Sequence, residues 1–157
     1  MKIVLLVTGK TTQKYIEEGM VNFSNRVRKY AVFDIIAIPD IRNTRNMPAR
    51  EQKIKEGEKI LQFLGKDDFL VVLDEKGKEF STLEFSSWLE KFFALSRKRI
   101  VFAVGGAWGF SDEVLQKADL LLSLSRLTFS HQLVRLLFLE QLYRAFTVIK
   151  REPYHHE

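Results

Sequence analysis

The sequence predicts an α/β fold, a mainly parallel sheet with helices on both faces. Three observations predict it. Continuous apolar runs of strand length recur at Ile3 to Val7, Phe69 to Leu73 and Ile100 to Val104, with a further β-rich run at Val32 to Ile38, as expected of strands in a covered sheet. Segments of helical length alternate with these runs, which is the order of a βαβ chain. The runs Ile100 to Val104 and Leu120 to Ser125 each lead into a loop that opens a helix, so both loops belong at one sheet edge, where α/β proteins bind ligands.

The elements follow in order. Ile3 to Val7 is stopped by Thr8 and Gly9, and a helix from about Thr12 carries Ile16, Met20, Phe23, Val27 and Tyr30 on one face. Pro39 ends the second strand. Asp40 to Ala49 has no apolar period and reads as a surface loop. A charged helix from about Arg50 to Leu64 offers Ile54, Ile60, Leu61 and Leu64 to the core, with Gly57 an unfavourable interior residue. The third strand ends in a turn, Asp74 to Lys78, before a helix over Thr82 to Leu95 with Leu83, Trp88, Leu89, Phe92 and Phe93 for the core. After the fourth strand come the glycine turn Gly105-Gly106-Ala107-Trp108-Gly109, a short helix opened by Ser111, Asp112 and Glu113, the run Leu120 to Ser125, and the loop Arg126 to His131. The last helix, Gln132 to about Lys150, is apolar nearly all round. Such a helix needs burial on more than one side, which predicts a homodimer with this helix in the interface.

At 157 residues with 46% apolar content, residues 1–157 are expected to form one domain. The absence of cysteine excludes disulfides, thiolate metal sites and a cysteine nucleophile; three histidines make a weak case for metal, and none is expected. No apolar run reaches signal-core or membrane-spanning length, so a soluble cytoplasmic protein is expected. The formal charge of +5 favours a polyanionic partner. Its basic residues cluster at Arg26, Arg28 and Lys29, at Arg42, Arg45, Arg50, Lys53 and Lys55, and at Arg97, Lys98 and Arg99.

Taken singly, the candidate motifs are weak. Gly105-Gly106-x-x-Gly109 could bring a ligand close to backbone amides, and a tight turn explains it equally well. As a nicotinamide site it sits after the wrong strand, and Leu120 to Leu139 contains no acidic ribose anchor. Arg135 and Arg144, among apolar neighbours, each need an anion such as Glu140 or a ligand phosphate. His131 reads as a capping or packing histidine, and the tail Tyr154-His155-His156 reads as frayed.

Together, VVLDEKG (Val71 to Gly77), AVGGAWG (Ala103 to Gly109), LSLSRLTFSHQLVR (Leu122 to Arg135), EQLYRAF (Glu140 to Phe146) and PYHHE (Pro153 to Glu157) resemble the small bacterial large-subunit (23S) rRNA pseudouridine N3-methyltransferases, of the SPOUT class of knotted methyltransferases. The resemblance runs the length of the chain and includes KEGE at Lys55 to Glu58. It implies a C-terminal trefoil knot, a homodimer, and methyl transfer from S-adenosylmethionine to N3 of a pseudouridine in 23S rRNA of the assembled ribosome. It further implies cofactor contacts from Leu73, Gly105, Leu124, Ser125, Arg126, Leu127, Thr128 and Phe129, and substrate-side roles for His131, Arg135, Tyr154 and His155, with one subunit's tail completing the other's pocket. Ala107 and Trp108 stand where many relatives have proline and glutamate, Ser130 where they have proline, and His156 where they have a basic residue, so no role carries over to those four. The rival readings are a non-catalytic ribosome- or RNA-binding dimer and a nicotinamide-binding oxidoreductase.

Overall fold

The computed structural model describes residues 2–95 and 98–156. Five strands form one parallel sheet: β1 (Lys2–Thr8), β2 (Val32–Ile38), β3 (Asp68–Glu79), β4 (Arg99–Val104) and β5 (Leu120–Ser123), in the order β2-β1-β4-β3-β5. The helices are α1 (Lys14–Val27), α2 (Ala49–Phe63), α3 (Thr82–Phe93), α4 (Asp112–Lys117) and α5 (Leu133–Ile149).

Successive strand residues point to opposite faces, which divides the core in two. Ile3, Leu5, Val7, Ile100, Phe102 and Val104 face α1, α3 and α5. Val4, Leu6, Leu70, Val72, Val101 and Ala103 face α2 and α4. Both faces are covered, which is why the inner strands β1 and β4 read as continuous apolar runs; at edge strand β2, Val32 and Ala37 are exposed and Asp34 interrupts the run. Local signals agree with the tertiary result at α3, where Ser81 and Glu84 form a capping box, and at α4, where the Ser111 hydroxyl accepts from the Val114 amide.

Several expectations need correction. Ile54 and Leu83, assigned to the core, are exposed. Gly57 has a packing reason: a Cβ there would lie 2.5 Å from Ser111 Oγ, so glycine permits α2 to approach the start of α4. The turn expected at Asp74 to Lys78 lies inside β3. The strand pairs with β5 as far as Leu73↔Leu122, bulges, and resumes at Lys78↔Leu122. At Gly77 a Cβ would lie 2.5 Å from the carbonyl carbon of Leu121, a backbone approach that any side chain would block.

Helix α5 packs on α1 and α3, and none of its residues is fully exposed in the single chain. Phe138, Leu139, Leu142, Ala145 and Phe146 are buried, whereas Leu133, Leu136, Leu137, Tyr143 and Val148 are half-buried. Tyr30 stacks on Phe146 at 5.4 Å between ring centroids and donates to Glu152 Oε2 at 2.5 Å, which ties the end of α1 to the tail. Burial and that carboxylate push the Tyr30 phenol up to about 12. No described helix is long and apolar enough to cross a membrane. Arg97, in the third basic cluster, and the terminal Glu157 of the last motif lie outside the described residues.

Candidate active site

Parallel strands end on one side of the sheet, and the segments leaving β3, β4 and β5 enclose a cleft of about 500 Å³ there. From β3 come Leu73 and the bulge Asp74, Glu75 and Lys76; from β4 comes the glycine loop from Gly105 to Gly109. From β5 come Leu122, Leu124, Ser125, Leu127, Thr128 and Phe129, and His131 and Val134 close the mouth from the start of α5.

Each wall has a local cause. In the glycine loop the Gly109 amide donates to Gly106 O at 3.1 Å, and Gly109 takes φ +81°, a conformation that favours glycine. Behind the loop stands Glu56 of α2, only 4% exposed; a Cβ on Gly106 would come within 2.8 Å of its Oε2. Gln52 Nε2 donates to Glu56 Oε1 at 3.2 Å, while Oε2 has no hydrogen-bond partner among the described residues. Burial therefore pushes this carboxyl above the ordinary carboxylate range, with the charge of Asp40 adding to the shift. The opposite wall folds on its own hydroxyls: Ser123 Oγ donates to Ser125 O at 2.9 Å, and Ser125 Oγ accepts from the Leu127 amide at 3.0 Å. Thr128 Oγ1 donates to Glu75 Oε2 at 2.6 Å, closing that wall against the β3 bulge. Ser130 Oγ accepts from the Leu133 amide at 3.0 Å and so caps the first turn of α5.

All the residues for which the resemblance implies cofactor contact line this one cleft, except Arg126. The side chain of Arg126 is 87% exposed and pairs with Glu79 at 3.4 Å. The substrate-side candidates are not brought together. His131 lines the cleft, where burial and the positive charge of Arg135 hold its imidazole below the usual range.

Arg135 is fully buried beneath it. Its guanidinium donates to Thr8 O at 2.7 Å, to Gly9 O at 2.9 Å, to Thr11 Oγ1 at 3.1 Å and to His131 O at 3.1 Å. The expected anionic partner is thus replaced by carbonyl and hydroxyl oxygens, and the guanidinium joins the end of β1 to the start of α5 instead of lining the cleft. Arg144 does find Glu140, at 2.5 Å.

Tyr154 and His155 follow α5 and fold back against its Glu140 and Arg144 rather than fraying. The Tyr154 hydroxyl donates to Glu140 Oε1 at 3.0 Å, Arg144 stacks over its ring at 4.7 Å, and Arg144 Nη1 lies 3.3 Å from His155 Nδ1. Burial and the Glu140 hydrogen bond raise the Tyr154 phenol. The cluster sits on Glu140 and Arg144, in the middle of α5 (Leu133–Ile149), so at 1.5 Å per residue it lies about 10–17 Å along the axis from the start of the helix.

Sequence reasoning missed Lys53, Asp74, Glu75, Lys76 and Asp112 as cleft residues. The acidic group sought for a ribose is available on the β3 bulge, a place the dinucleotide-binding pattern does not point to. No group of three or more His, Asp or Glu among the described residues is arranged to hold a metal ion.

Known proteins agree with this architecture. The profile of the family described as "Predicted SPOUT methyltransferase" matches residues 1–155. A Ribosomal RNA large subunit methyltransferase H from Parabacteroides distasonis is 51% identical over 157 residues, all of both chains. The protein of that name from Christiangramia forsetii is 49% identical over 156 residues, 99% of each chain. Among solved structures, a probable methylase family protein from Haemophilus influenzae Rd KW20 is similar in fold, with a TM-score of 0.52 at 14% identity over 99% of this chain and 70% of that one. With a profile match over nearly its whole length and full-length relatives at about half identity, the chain belongs to the SPOUT methyltransferase family.

Proposed function

We propose that this chain transfers a methyl group from S-adenosylmethionine to N3 of a pseudouridine in 23S rRNA of the assembled ribosome, in the cytoplasm and as a homodimer. The observation that carries the reading is the convergence of Leu73, Gly105, Leu124, Ser125, Leu127, Thr128 and Phe129 on one cleft at the ends of the strands. The lining suits the cofactor. Leu73, Leu122, Leu124 and Phe129 offer apolar walls to an adenine ring, Gly105 offers bare backbone, and Asp74 offers a carboxylate to hydroxyl or ammonium donors.

When bound, the cofactor supplies a methyl group already activated on a sulfonium, so the chemistry calls for neither a metal nor a covalent protein intermediate. The side chains must then hold the target ring with its imide nitrogen in line and receive one proton. His131, whose imidazole is held below its usual range by burial and by Arg135, is suited to accept a hydrogen bond at the mouth. Arg135 acts on that mouth through its positive potential and through the backbone it holds. Tyr154 and His155, held on Glu140 and Arg144 and outside the cleft of their own chain, serve the cleft of a second copy, with His155 or a water taking the proton. The half-buried apolar residues of α5 support its place in the dimer interface, where a two-fold axis would set each tail beside the other cleft. A trefoil knot in the C-terminal third is part of the proposal; its support is the path from edge strand β5 through the cleft loop to α5, which returns across the sheet to α1.

The test is transfer of labelled methyl to purified ribosomes lacking the modification, with the nucleoside identified by mass. Label at N3 of a large-subunit pseudouridine is expected. Cofactor binding without transfer would mean a different substrate, and absence of binding would leave a non-catalytic ribosome-binding dimer.

A further inference from the structure

Trp108 and Lys53 take no part in the reading above. Trp108 is 56% exposed, an unusual state for so large an apolar side chain. It has no aromatic or cationic neighbour stacked on its ring among the described residues, yet it lines the cleft. The backbone that carries it is restrained, by the Gly106–Gly109 bridge in front and the Glu56 carboxylate behind. Lys53 lines the same cleft from α2, one helical turn before Glu56. Arg50 lies one turn further back on that stripe, and Arg42 and Arg45 stand in the loop before α2, all three exposed. None of these four cations has an ion-pair partner among the described residues. An exposed indole on a braced loop beside unpaired cations is the combination that grips single-stranded nucleic acid: a base stacks on the ring and its phosphate meets the cation.

We propose that Trp108 and Lys53 form a platform for an unpaired nucleotide neighbouring the target pseudouridine, with the base on the indole and the phosphate at Lys53. The platform rests on the methyltransferase reading and deepens it by naming where flanking RNA is held. The charge around the indole favours RNA over a second copy of this chain, because the other face of the platform would otherwise have to bury unpaired cations. Acidic Asp74 and Asp112 share the cleft and confine the phosphate to the α2 side.

The experiment is steady-state methylation of unmodified ribosomes by the full-length protein and by Trp108→Ala, Trp108→Leu, Trp108→Phe and Lys53→Ala, with cofactor affinity and oligomeric state measured on each. Base–aromatic stacking of typical strength corresponds to about tenfold or more in affinity. Trp108→Ala and Trp108→Leu should therefore raise KM for ribosomes by about tenfold with kcat and cofactor affinity unchanged. Trp108→Phe, which keeps a π face, should recover most of the loss. Lys53→Ala should raise KM and lower the slope of log affinity against log salt by about one. Unchanged KM in the Ala and Leu variants overturns the platform while leaving methyl transfer intact. Equal behaviour of Leu and Phe assigns the indole to an apolar protein contact, a parallel fall in cofactor affinity assigns it to the cofactor pocket, and loss of the dimer assigns it to a partner chain; each overturns the proposal. A wild-type protein inert on ribosomes would overturn the underlying reading as well.

Discussion

Replacing Arg135 by methionine separates a structural guanidinium from a catalytic one. The side chain is fully buried and donates to four oxygens on two distant segments. Methionine keeps much of the volume and removes every donor. The bonds to Thr8 O and Gly9 O are buried, and a buried acceptor left without a donor costs about 1–3 kcal/mol. The bonds to Thr11 and His131 are only partly buried, so water can replace part of them. Against the loss stands the desolvation of the guanidinium, which methionine avoids and which burial shows by lowering the tendency of Arg135 to hold its proton. The net expectation is a loss of about 2–4 kcal/mol, or roughly 10 °C in Tm for a chain of this size. Urea unfolding at fixed protein concentration, read at constant m, measures it. Arg135→Lys, with fewer donors in a different geometry, should fall between. Stability within ~0.5 kcal/mol of wild type combined with loss of methyl transfer would refute this reasoning and return the cation to the reacting nitrogen.

Other perturbations follow from the same contacts. Glu56→Gln should stabilise the protein at neutral pH. The folded carboxyl titrates above its ordinary value of 4.5, so between 4.5 and the folded value the native state holds the extra proton, and wild-type stability declines as pH rises through that window; the variant's unfolding should lose that slope. Gly77→Ala should cost about 1–3 kcal/mol through overpacking, because its Cβ meets Leu121 backbone, and should expose the β5 amides to hydrogen exchange; unaltered exchange would count against the bulge. His155→Ala should lower turnover and leave cofactor affinity nearly unchanged. Mixing it with a variant whose cofactor cleft is blocked at Gly105 should restore part of the activity in hybrid dimers, and no recovery would place tail and cleft within one subunit. Saturating S-adenosylhomocysteine at about 100 times its Kd should add about 2.7 kcal/mol of stability, and a chain without the site should gain nothing.

The strand and helix order was legible because burial on both faces makes the inner strands uninterrupted apolar runs, as Ile3 to Val7 and Ile100 to Val104 show. The β3 bulge was not, since Asp74-Glu75-Lys76-Gly77 carries the residues of a turn whether the chain reverses or merely steps out of register. Ile54 was misassigned because α2 has only a narrow apolar stripe, and a position next to it looks the same in sequence. Arg135 was noticed as a cation among apolar residues, but its partners are carbonyls some 126 positions away, which no local pattern reveals. The cleft loops were placed at one sheet edge by the strand–loop–helix order alone, and the resemblance with its five motifs named their cofactor residues. Lys53 and Trp108 lie outside the positions that resemblance could assign, and only their convergence in space distinguishes them from ordinary surface residues.

Helix α5 also acts as a ruler. Its first turn stands at a cleft and its middle, at Glu140 and Arg144, carries the tyrosine–histidine cluster, so in the proposed dimer the number of residues between them sets how far apart the two ends of the composite site fall. One added residue would turn the tail about 100° around the axis and advance it about 1.5 Å; a full added turn would preserve its heading and overshoot by about 5.4 Å. Neither change touches a residue at the chemistry. In the proposed dimer, the separation of the two clusters along one rod would make chain length in the helix interior a catalytic parameter, and a lone subunit two unmatched halves.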